Sequence, residues 1–219
     1  MSLERIIIDT GKPGASPVGS VIWMHGFGAD AHDFEPIIPM LDLEEPLRFV
    51  FPNAPLRPIT ISGGAKLRAW YDINPQAPMA ASGEIKASVA SITEIVADQA
   101  ASGISPQRVV LAGFSQGGVI ALELGLAFPE KLAGILALST YVHDQEHLAQ
   151  RIGPANRETP ILMVHGQADQ MIPMAMAVNS RTALSDLNYR VEWREYPMGH
   201  EVCPQEITAI GEWLNTIYT

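Results

Sequence analysis

Arg108-Val-Val-Leu-Ala-Gly-Phe-Ser-Gln-Gly-Gly118 is the stretch that decides the fold. Its first part, residues 108–112, is a nearly continuous apolar run, which is typical of a strand buried on both faces. The next five residues fit the pattern G-x-S-x-G, and an apolar helical segment follows over residues 116–128. Strand, tight turn and helix in this order predict a nucleophilic serine, Ser115, exposed at a sharp turn.

The glycines around Ser115 fit the same interpretation. In so tight a turn the residues two positions before and after the serine must be small, and Gly113 and Gly117 meet that demand. Gly118 permits close packing of the helix on the strand. The helix N-terminus would favour an anionic oxygen at Ser115. The alternative is a glycine-rich turn that carries no chemistry.

Outside this stretch, short apolar runs alternate with helical periods. Strands are predicted at 20–24, 48–51, 134–138, 161–164 and 189–196, and helices at 84–102, 116–128, 173–187 and 204–217. This alternation predicts an α/β fold with a mostly parallel central sheet and helices on both faces. Residues 52–83 are rich in Pro, Gly, Ala and Ser without a clear period, and we interpret them as an excursion over the active-site edge of a single domain spanning 1–219.

Composition narrows the function classes. The 219 residues are 47% hydrophobic and carry a net charge of −10, which argues against nucleic acid as a partner. Cys203 is the single cysteine, so no intramolecular disulfide is expected. The N-terminus resembles no signal peptide, and no apolar run approaches the roughly 20 residues of a membrane span. We expect a cytoplasmic protein without stable membrane insertion.

A serine nucleophile needs a base and an acid that orients it. In the order Ser, then Asp or Glu, then His, the candidates are Asp169 and His200, each in a loop that follows a predicted strand. His165 precedes the acid and is interpreted as a structural histidine. Asp169 could instead serve as a helix cap, and Asp144 and Asp186 are its rivals.

An oxyanion hole requires two backbone N–H donors. We predict the amide of Gln116, which follows the nucleophile, and that of Phe27, in the glycine loop after the first predicted strand. A glycine turn without this role is the alternative. The stretch at 26–31 also fits a loose dinucleotide-binding pattern, but no acid ends the second strand as that pattern requires.

A different chemistry is offered by His143-Asp-Gln-Glu-His147, which matches an inverted zinc-protease pattern, H-x-x-E-H. The segment is short and has no obvious third ligand, so we expect a solvated charged surface and no metal. A binding protein without catalysis is the third class.

Five blocks in order carry a family resemblance: residues 25–28, 68–72, 113–118, 165–169 and 199–200. Over residues 18–214 the chain resembles the carboxylesterase, lysophospholipase and acyl-protein thioesterase family. The resemblance implies an α/β-hydrolase fold without a large lid domain, hydrolysis of esters or thioesters, and no cofactor. Ser115, Asp169 and His200 match its triad, and the amides of Phe27 and Gln116 match its oxyanion hole.

Two departures from the family pattern stand out. Phe27 occupies a position where leucine is common, which would narrow the acyl site. Arg68 stands beside Trp70, where thioesterase members carry a small or polar residue, and this favours a carboxylesterase over a protein thioesterase.

The sequence also suggests an apolar acyl groove, with ordinary core residues as the alternative. Substrate-binding residues are predicted at Trp70, Met171 and Ile172, with Tyr71, Met174 and Met176 nearby. The predicted function is a serine carboxylesterase for short-to-medium acyl chains that works through an acyl-serine. An acyl-protein thioesterase or lysophospholipase is the alternative. A homodimer formed through exposed apolar loops is a further expectation.

Overall fold

A computed structural model describes residues 3–219 of the chain. Within this range the strands are β1 (Arg5–Asp9), β2 (Gly19–Met24), β3 (Leu47–Pro52), β4 (Leu56–Ile59), β5 (Ala65–Arg68), β6 (Val109–Phe114), β7 (Gly134–Leu138), β8 (Ile161–Gly166) and β9 (Val191–Tyr196). The α-helices are α1 (Ser82–Ala101), α2 (Gln116–Ala127), α3 (Leu148–Arg151), α4 (Met174–Asp186) and α5 (Pro204–Tyr218). None of the helices in the described part of the chain has the length and hydropathy of a membrane span.

The central sheet has seven strands in the order β1-β3-β2-β6-β7-β8-β9. All neighbours are parallel except β1, which pairs antiparallel with β3 at one edge. The predicted α/β fold with a mostly parallel sheet is therefore confirmed. A separate hairpin of β4 and β5 stands outside the sheet.

Alternate residues of the buried strands serve two cores, one on each face of the sheet. Ile22 and Met24 point to the face covered by α1, α2 and α4, whereas Val21 and Trp23 point to the face covered by α5. This arrangement confirms helices on both faces. It also explains the unbroken apolar runs of the strands, because neither face meets water.

Three features differ from the sequence prediction. The edge strand β1 was not predicted, because only three apolar residues mark it. The segment 52–83 is not irregular throughout, since it holds the β4–β5 hairpin. Strand β9 begins at Val191 rather than at 189, because Asn188 adopts a positive φ of 64° and the Tyr189 amide donates back to Leu184 O at the end of α4.

The carboxyl ends of the parallel strands define where chemistry can assemble. The loops after β2, β6, β7, β8 and β9 all begin at this edge of the sheet, which we call the carboxyl edge. Every predicted catalytic residue lies in one of these loops or at the start of the helix that follows.

Candidate active site

Ser115 lies between β6 and α2, in a backbone conformation that few residues adopt. Its φ is 54° and its ψ is −117°, so it is one of the few non-glycine residues with positive φ. Such a conformation costs on the order of 1–3 kcal/mol and persists only where the surroundings enforce it. Two bonds do so here: the Ser115 amide donates to Leu138 O at 2.9 Å, and Thr140 Oγ1 donates to Ser115 O at 2.7 Å.

The glycines beside Ser115 have no room for a side chain. A Cβ on Gly113 would come within 2.2 Å of the Gly117 backbone, and one on Gly117 within 2.2 Å of Met24 O. A Cβ on Gly118 would come within 2.6 Å of Thr140. The prediction that these positions must be small is confirmed, and the reason is that β2, β6 and α2 converge directly under the serine.

Two backbone amides are available next to Ser115. Phe27 and Gln116 both line the cavity that Ser115 lines, and in the described chain neither backbone N–H has a protein acceptor. A Cβ built on Gly26, the residue before Phe27, would lie 3.6 Å from Ser115 Cβ. The loop that carries the Phe27 amide therefore approaches Ser115 closely. The arrangement leaves two donors free beside the hydroxyl, as an oxyanion hole requires.

Hydrogen bonds on the side away from the cavity hold the loop that carries Phe27. Trp70 Nε1 donates to His25 O at 2.9 Å, and the Gly28 amide donates to Arg68 O at 2.9 Å. His25 is buried; its Nδ1 donates to Gly26 O at 2.7 Å and its Nε2 accepts from the Ala54 amide at 3.0 Å. This pattern fits a neutral imidazole, and burial lowers the pKa of His25.

Asp169 and His200 form a direct pair. His200 Nδ1 lies 2.7 Å from Asp169 Oδ2, and the Asp169 side chain is fully buried. The other carboxylate oxygen accepts from the amides of Met171 and Ile172, both at 2.8 Å. These bonds hold the carboxylate in position, so that it fixes the imidazole with Nε2 as the free nitrogen. The alternative role of Asp169 as a helix cap is not met, because its second oxygen closes a turn ahead of α4 and no side chain caps the N-terminus of that helix.

The structure brings His200 and Ser115 to the same cavity without a hydrogen bond between them. Both residues line it, and the rings of Phe114 and His200 lie with centroids 4.8 Å apart. Catalytic hydrogen bonds of this kind are often long before substrate binds.

His165 supports the acid from within the core. Its side chain is almost fully buried, its Nε2 donates to Ile172 O at 2.8 Å, and the same nitrogen lies 3.5 Å from Asp169 Oδ2. It does not line the cavity. These contacts agree with the prediction of a structural histidine. His165 stabilises the turn that carries Asp169.

The cavity at the carboxyl edge has a volume of about 630 Å³ and a mostly apolar lining. Met171 and Ile172, both predicted to bind substrate, line it, as do Tyr71 and Met176. Met174 does not. The segment 61–81 supplies much of the opposite wall.

Two predictions about this wall need correction. Trp70 does not line the cavity; it is fully buried, and its backbone amide donates to Gln116 Oε1 at 3.0 Å, so it is a supporting residue. Arg68 also lies outside the lining, since its guanidinium contacts Ala54 O at 3.1 Å and Glu4 at 3.3 Å. The position of Arg68 therefore does not favour oxygen esters over thioesters.

The segment 143–147 does not form the helix face that a zinc site of this pattern needs. His143 precedes a short 3-10 turn and is buried with Nε2 3.3 Å from Ser82 Oγ, whereas His147 is half-exposed with Nδ1 2.8 Å from Asp144. The loose dinucleotide pattern fails similarly, because only a 3-10 turn, Glu35–Met40, follows its glycine loop.

Sequence reasoning missed three contributors to the site. The Gln116 side chain also donates from Nε2 to Tyr71 O at 2.8 Å, so it fastens the wall segment to the start of α2. Tyr141 and His143 line the cavity, although they were not predicted to. The available signal was partial: both residues closely follow the predicted strand 134–138, but only the structure shows that this strand, β7, lies next to β6.

Comparison with known proteins places this geometry in a family. The phospholipase/carboxylesterase family model matches residues 7–218. Acyl-protein thioesterase 1 of Gibberella zeae is 33% identical over 216 residues, covering 92% of each chain. The structure resembles the crystal structure of esterase PE8 (TM-score 0.85, 26% identity, 99% of this chain and 100% of that one) and that of Arabidopsis thaliana SOBER1 (TM-score 0.83, 26% identity, 92% and 99%). The chain therefore belongs to the phospholipase/carboxylesterase family of the α/β-hydrolase fold, and it is a carboxylic ester hydrolase.

Proposed function

We propose that the chain hydrolyses carboxylic esters of short-to-medium acyl chains through a covalent acyl-serine at Ser115. The observation that carries this proposal is that His200, held by the buried Asp169 at 2.7 Å, lines the same cavity as the strained Ser115. Among the described residues Ser115 is the only serine that lines the cavity, and it stands at a helix N-terminus beside two free amides.

The chemistry follows from these positions. His200 Nε2 takes the Ser115 proton as Oγ attacks the ester carbonyl, and the C–O bond to the alcohol breaks as His200 returns the proton to the leaving oxygen. Water then attacks the acyl-serine with His200 again as base, and the free acid leaves. The amides of Phe27 and Gln116 stabilise the oxyanion in both steps. Asp169 keeps the imidazole oriented and stabilises its protonated form.

An acyl thioester is the second candidate substrate. The same attack on a carbonyl carbon serves a thioester, and the relative from Gibberella zeae is named an acyl-protein thioesterase. Arg68 lies outside the cavity, so it places no charge against such a substrate. Parallel kcat/KM values for matched oxygen esters, thioesters and lysophospholipids would rank the three.

The test of the nucleophile is Ser115→Ala. We expect kcat for an ester to fall by about 10⁴-fold or more while the fold is retained, because only the attacking oxygen is lost. Ser139→Ala is a matched control: Ser139 is buried, has a positive φ of 45° at the end of the adjacent β7, and does not line the cavity. Ester hydrolysis that survives Ser115→Ala and falls in Ser139→Ala would contradict the proposal.

The proposal also covers the cellular compartment and the oligomeric state. A cytoplasmic enzyme fits a chain with one cysteine, Cys203, which is a free thiol here, and the net charge of −10 does not suit nucleic acid. A homodimer would cover exposed apolar residues such as Met171 and Ile61, which are 71% and 58% exposed. Light scattering of the purified chain measures this directly.

A further inference from the structure

Three polar side chains form a cluster in the cavity: Tyr71, Tyr141 and His143. All three line it. The hydroxyls of Tyr71 and Tyr141 lie 3.4 Å apart, and the rings of Tyr71 and His143 have centroids 6.5 Å apart. The mechanism above uses none of them.

His143 presents a hydrogen-bond acceptor that nothing in the described chain uses. Ser82 Oγ has one proton and donates it to Met79 O at 2.8 Å, so the 3.3 Å contact with His143 Nε2 requires Nε2 to be the donor. Burial lowers the pKa of His143, which keeps the ring neutral. Nδ1 then carries a lone pair, and in residues 3–219 this atom is neither fully enclosed nor hydrogen-bonded.

The tyrosine pair has unused capacity as well. A separation of 3.4 Å is much longer than the 2.7–2.8 Å of a good O–H···O bond, so each hydroxyl can still bind a third group. Tyr71 is nearly fully buried, whereas Tyr141 is half-buried, so Tyr141 is the more accessible of the two. The cluster therefore offers one acceptor at His143 and one donor at Tyr141.

The cluster lies close to the reacting centre. Tyr141 directly follows Thr140, whose Oγ1 bonds Ser115 O at 2.7 Å, and Tyr71 O accepts from the Gln116 side chain at 2.8 Å. A substrate held at Ser115 therefore has part of its length within reach of these side chains.

We propose that Tyr71, Tyr141 and His143 form a subsite for a hydroxyl group carried by the substrate. The inference rests on the proposed function and adds substrate selection to it. A hydroxyl both donates and accepts, so it satisfies Nδ1 of His143 and the Tyr141 hydroxyl together, whereas an alkyl chain would leave both buried and unpaired.

The charges of the cavity favour a neutral group over an anionic one. Among the described residues that line it there is no Lys or Arg, whereas Asp33, Asp72 and Asp144 do line it. A carboxylate or phosphate on the substrate would meet these three carboxylates. Arg151, which contacts the backbone of His143 and Asp144, lies outside the lining and is paired with Glu123, so the ligand is a neutral oxygen group.

The hydroxyl can belong to either half of the ester, and two substrate arms separate these sources. In the acyl arm, nitrophenyl esters of hydroxyalkanoic acids, with the hydroxyl moved along the chain, are each compared with the ester that carries a methyl group instead. In the alcohol arm, hexanoate esters of diols are compared with those of the matching alkanols. The readout is the ratio of kcat/KM for the hydroxylated substrate over its partner, in which any general loss of activity cancels.

We expect the wild-type ratio to exceed one by about 2- to 10-fold in one arm, the size of one neutral hydrogen bond. Tyr141→Phe and His143→Phe should each bring it close to one, and His143→Asn, which keeps an acceptor near Nδ1, should retain more of it. Tyr189→Phe removes a buried hydroxyl at a residue outside the cavity lining and should leave the ratio unchanged.

A ratio of one or less in both arms, or a preference that survives both phenylalanine variants, would overturn the subsite. Either result leaves Ser115→Ala inactive, so it is distinct from failure of the proposed function, in which that variant would still hydrolyse esters.

Discussion

The two sides of the cavity are built differently. On the side of Ser115, a Cβ at Gly113 or Gly117 would come within 2.2 Å of backbone atoms. On the opposite wall, which we define as residues 61–81 and 171–176, large apolar side chains are exposed to solvent: Met79 is 49% exposed and Met171 is 71% exposed. The side of Ser115, which we call the packed side, holds the reacting groups in place. The opposite wall, which we call the open wall, contacts parts of the substrate that do not react.

The difference indicates where changes in this protein should matter. On the packed side a small change displaces backbone, because strands and α2 leave no free volume. On the open wall, long flexible side chains such as methionine can adapt to different occupants. The predictions below test this contrast, beginning with the largest expected effect.

Asp169→Asn should lower kcat by about 10³- to 10⁴-fold with the fold intact. The amide can still accept from Met171 and Ile172 through its oxygen, but its NH2 group would donate to His200 Nδ1 and leave the proton on Nε2. Steady-state kinetics against Asp186→Asn, an exposed acid at the end of α4, isolates the effect. Equal activity in both variants would remove Asp169 from the mechanism.

Gly117→Ala should cost about 4 kcal/mol of unfolding free energy or prevent folding, because the new methyl meets Met24 O at 2.2 Å. Gly83→Ala, in the first turn of α1, has nothing within 4 Å of its added methyl and should be neutral or slightly stabilising. Urea denaturation of both variants gives the comparison. Similar free energies of unfolding for the two variants would mean that the backbone near Ser115 can move to accommodate the added methyl group.

Glu206→Gln should stabilise the protein at pH 8 by about 2–4 kcal/mol and leave it nearly unchanged at pH 5. Glu206, in the first turn of α5, is fully buried, and burial raises its pKa to about 8; the nearby Cys203 amide opposes this shift without forming a hydrogen bond of good geometry. The folded state therefore binds a proton that the unfolded state releases near pH 4.5, so wild-type stability falls as pH rises between these values. Glutamine mimics the protonated form.

Thermal unfolding at several pH values measures this effect, with Glu201→Gln as the control because Glu201 is exposed in the loop just before α5. A stabilisation independent of pH in Glu206→Gln would show that the buried carboxyl does not titrate as stated.

Met171→Ala should raise KM for hexanoate and longer esters about 2- to 5-fold and barely affect acetate, because only the longer chains reach the open wall. Leu56→Ala is the control, since Leu56 is 64% exposed but outside the cavity lining. A uniform rise in KM across chain lengths would argue that Met171 does not contact the acyl group.

The sequence predicts the packed side far better than the open wall, for a physical reason. The geometry of one five-residue turn requires Gly113, Ser115 and Gly117, so their spacing can be recognised in one sequence. The wall is formed by contacts between distant segments, such as the bonds from Gln116 to residues 70 and 71. Nothing near Trp70 in the sequence distinguishes a residue that supports the wall from one that lines it.

The same distinction applies to the histidines. His200 was identifiable because its position after the last strand matches a required order, and the 2.7 Å contact with Asp169 agrees with it. For His143, the sequence offers only a match to one histidine of the H-x-x-E-H zinc pattern. Its place in the cavity depends on β7 lying next to β6, which composition and period do not reveal.

Labelling with a fluorophosphonate, followed by mapping of the modified peptide, tests the central claim most directly. This reagent reacts with a serine only where a base activates it and an oxyanion site receives the charge. We expect one adduct, on Ser115, that persists in Ser139→Ala and is absent in Ser115→Ala. An adduct on a different residue, or none from a chain that still hydrolyses esters, would contradict the account.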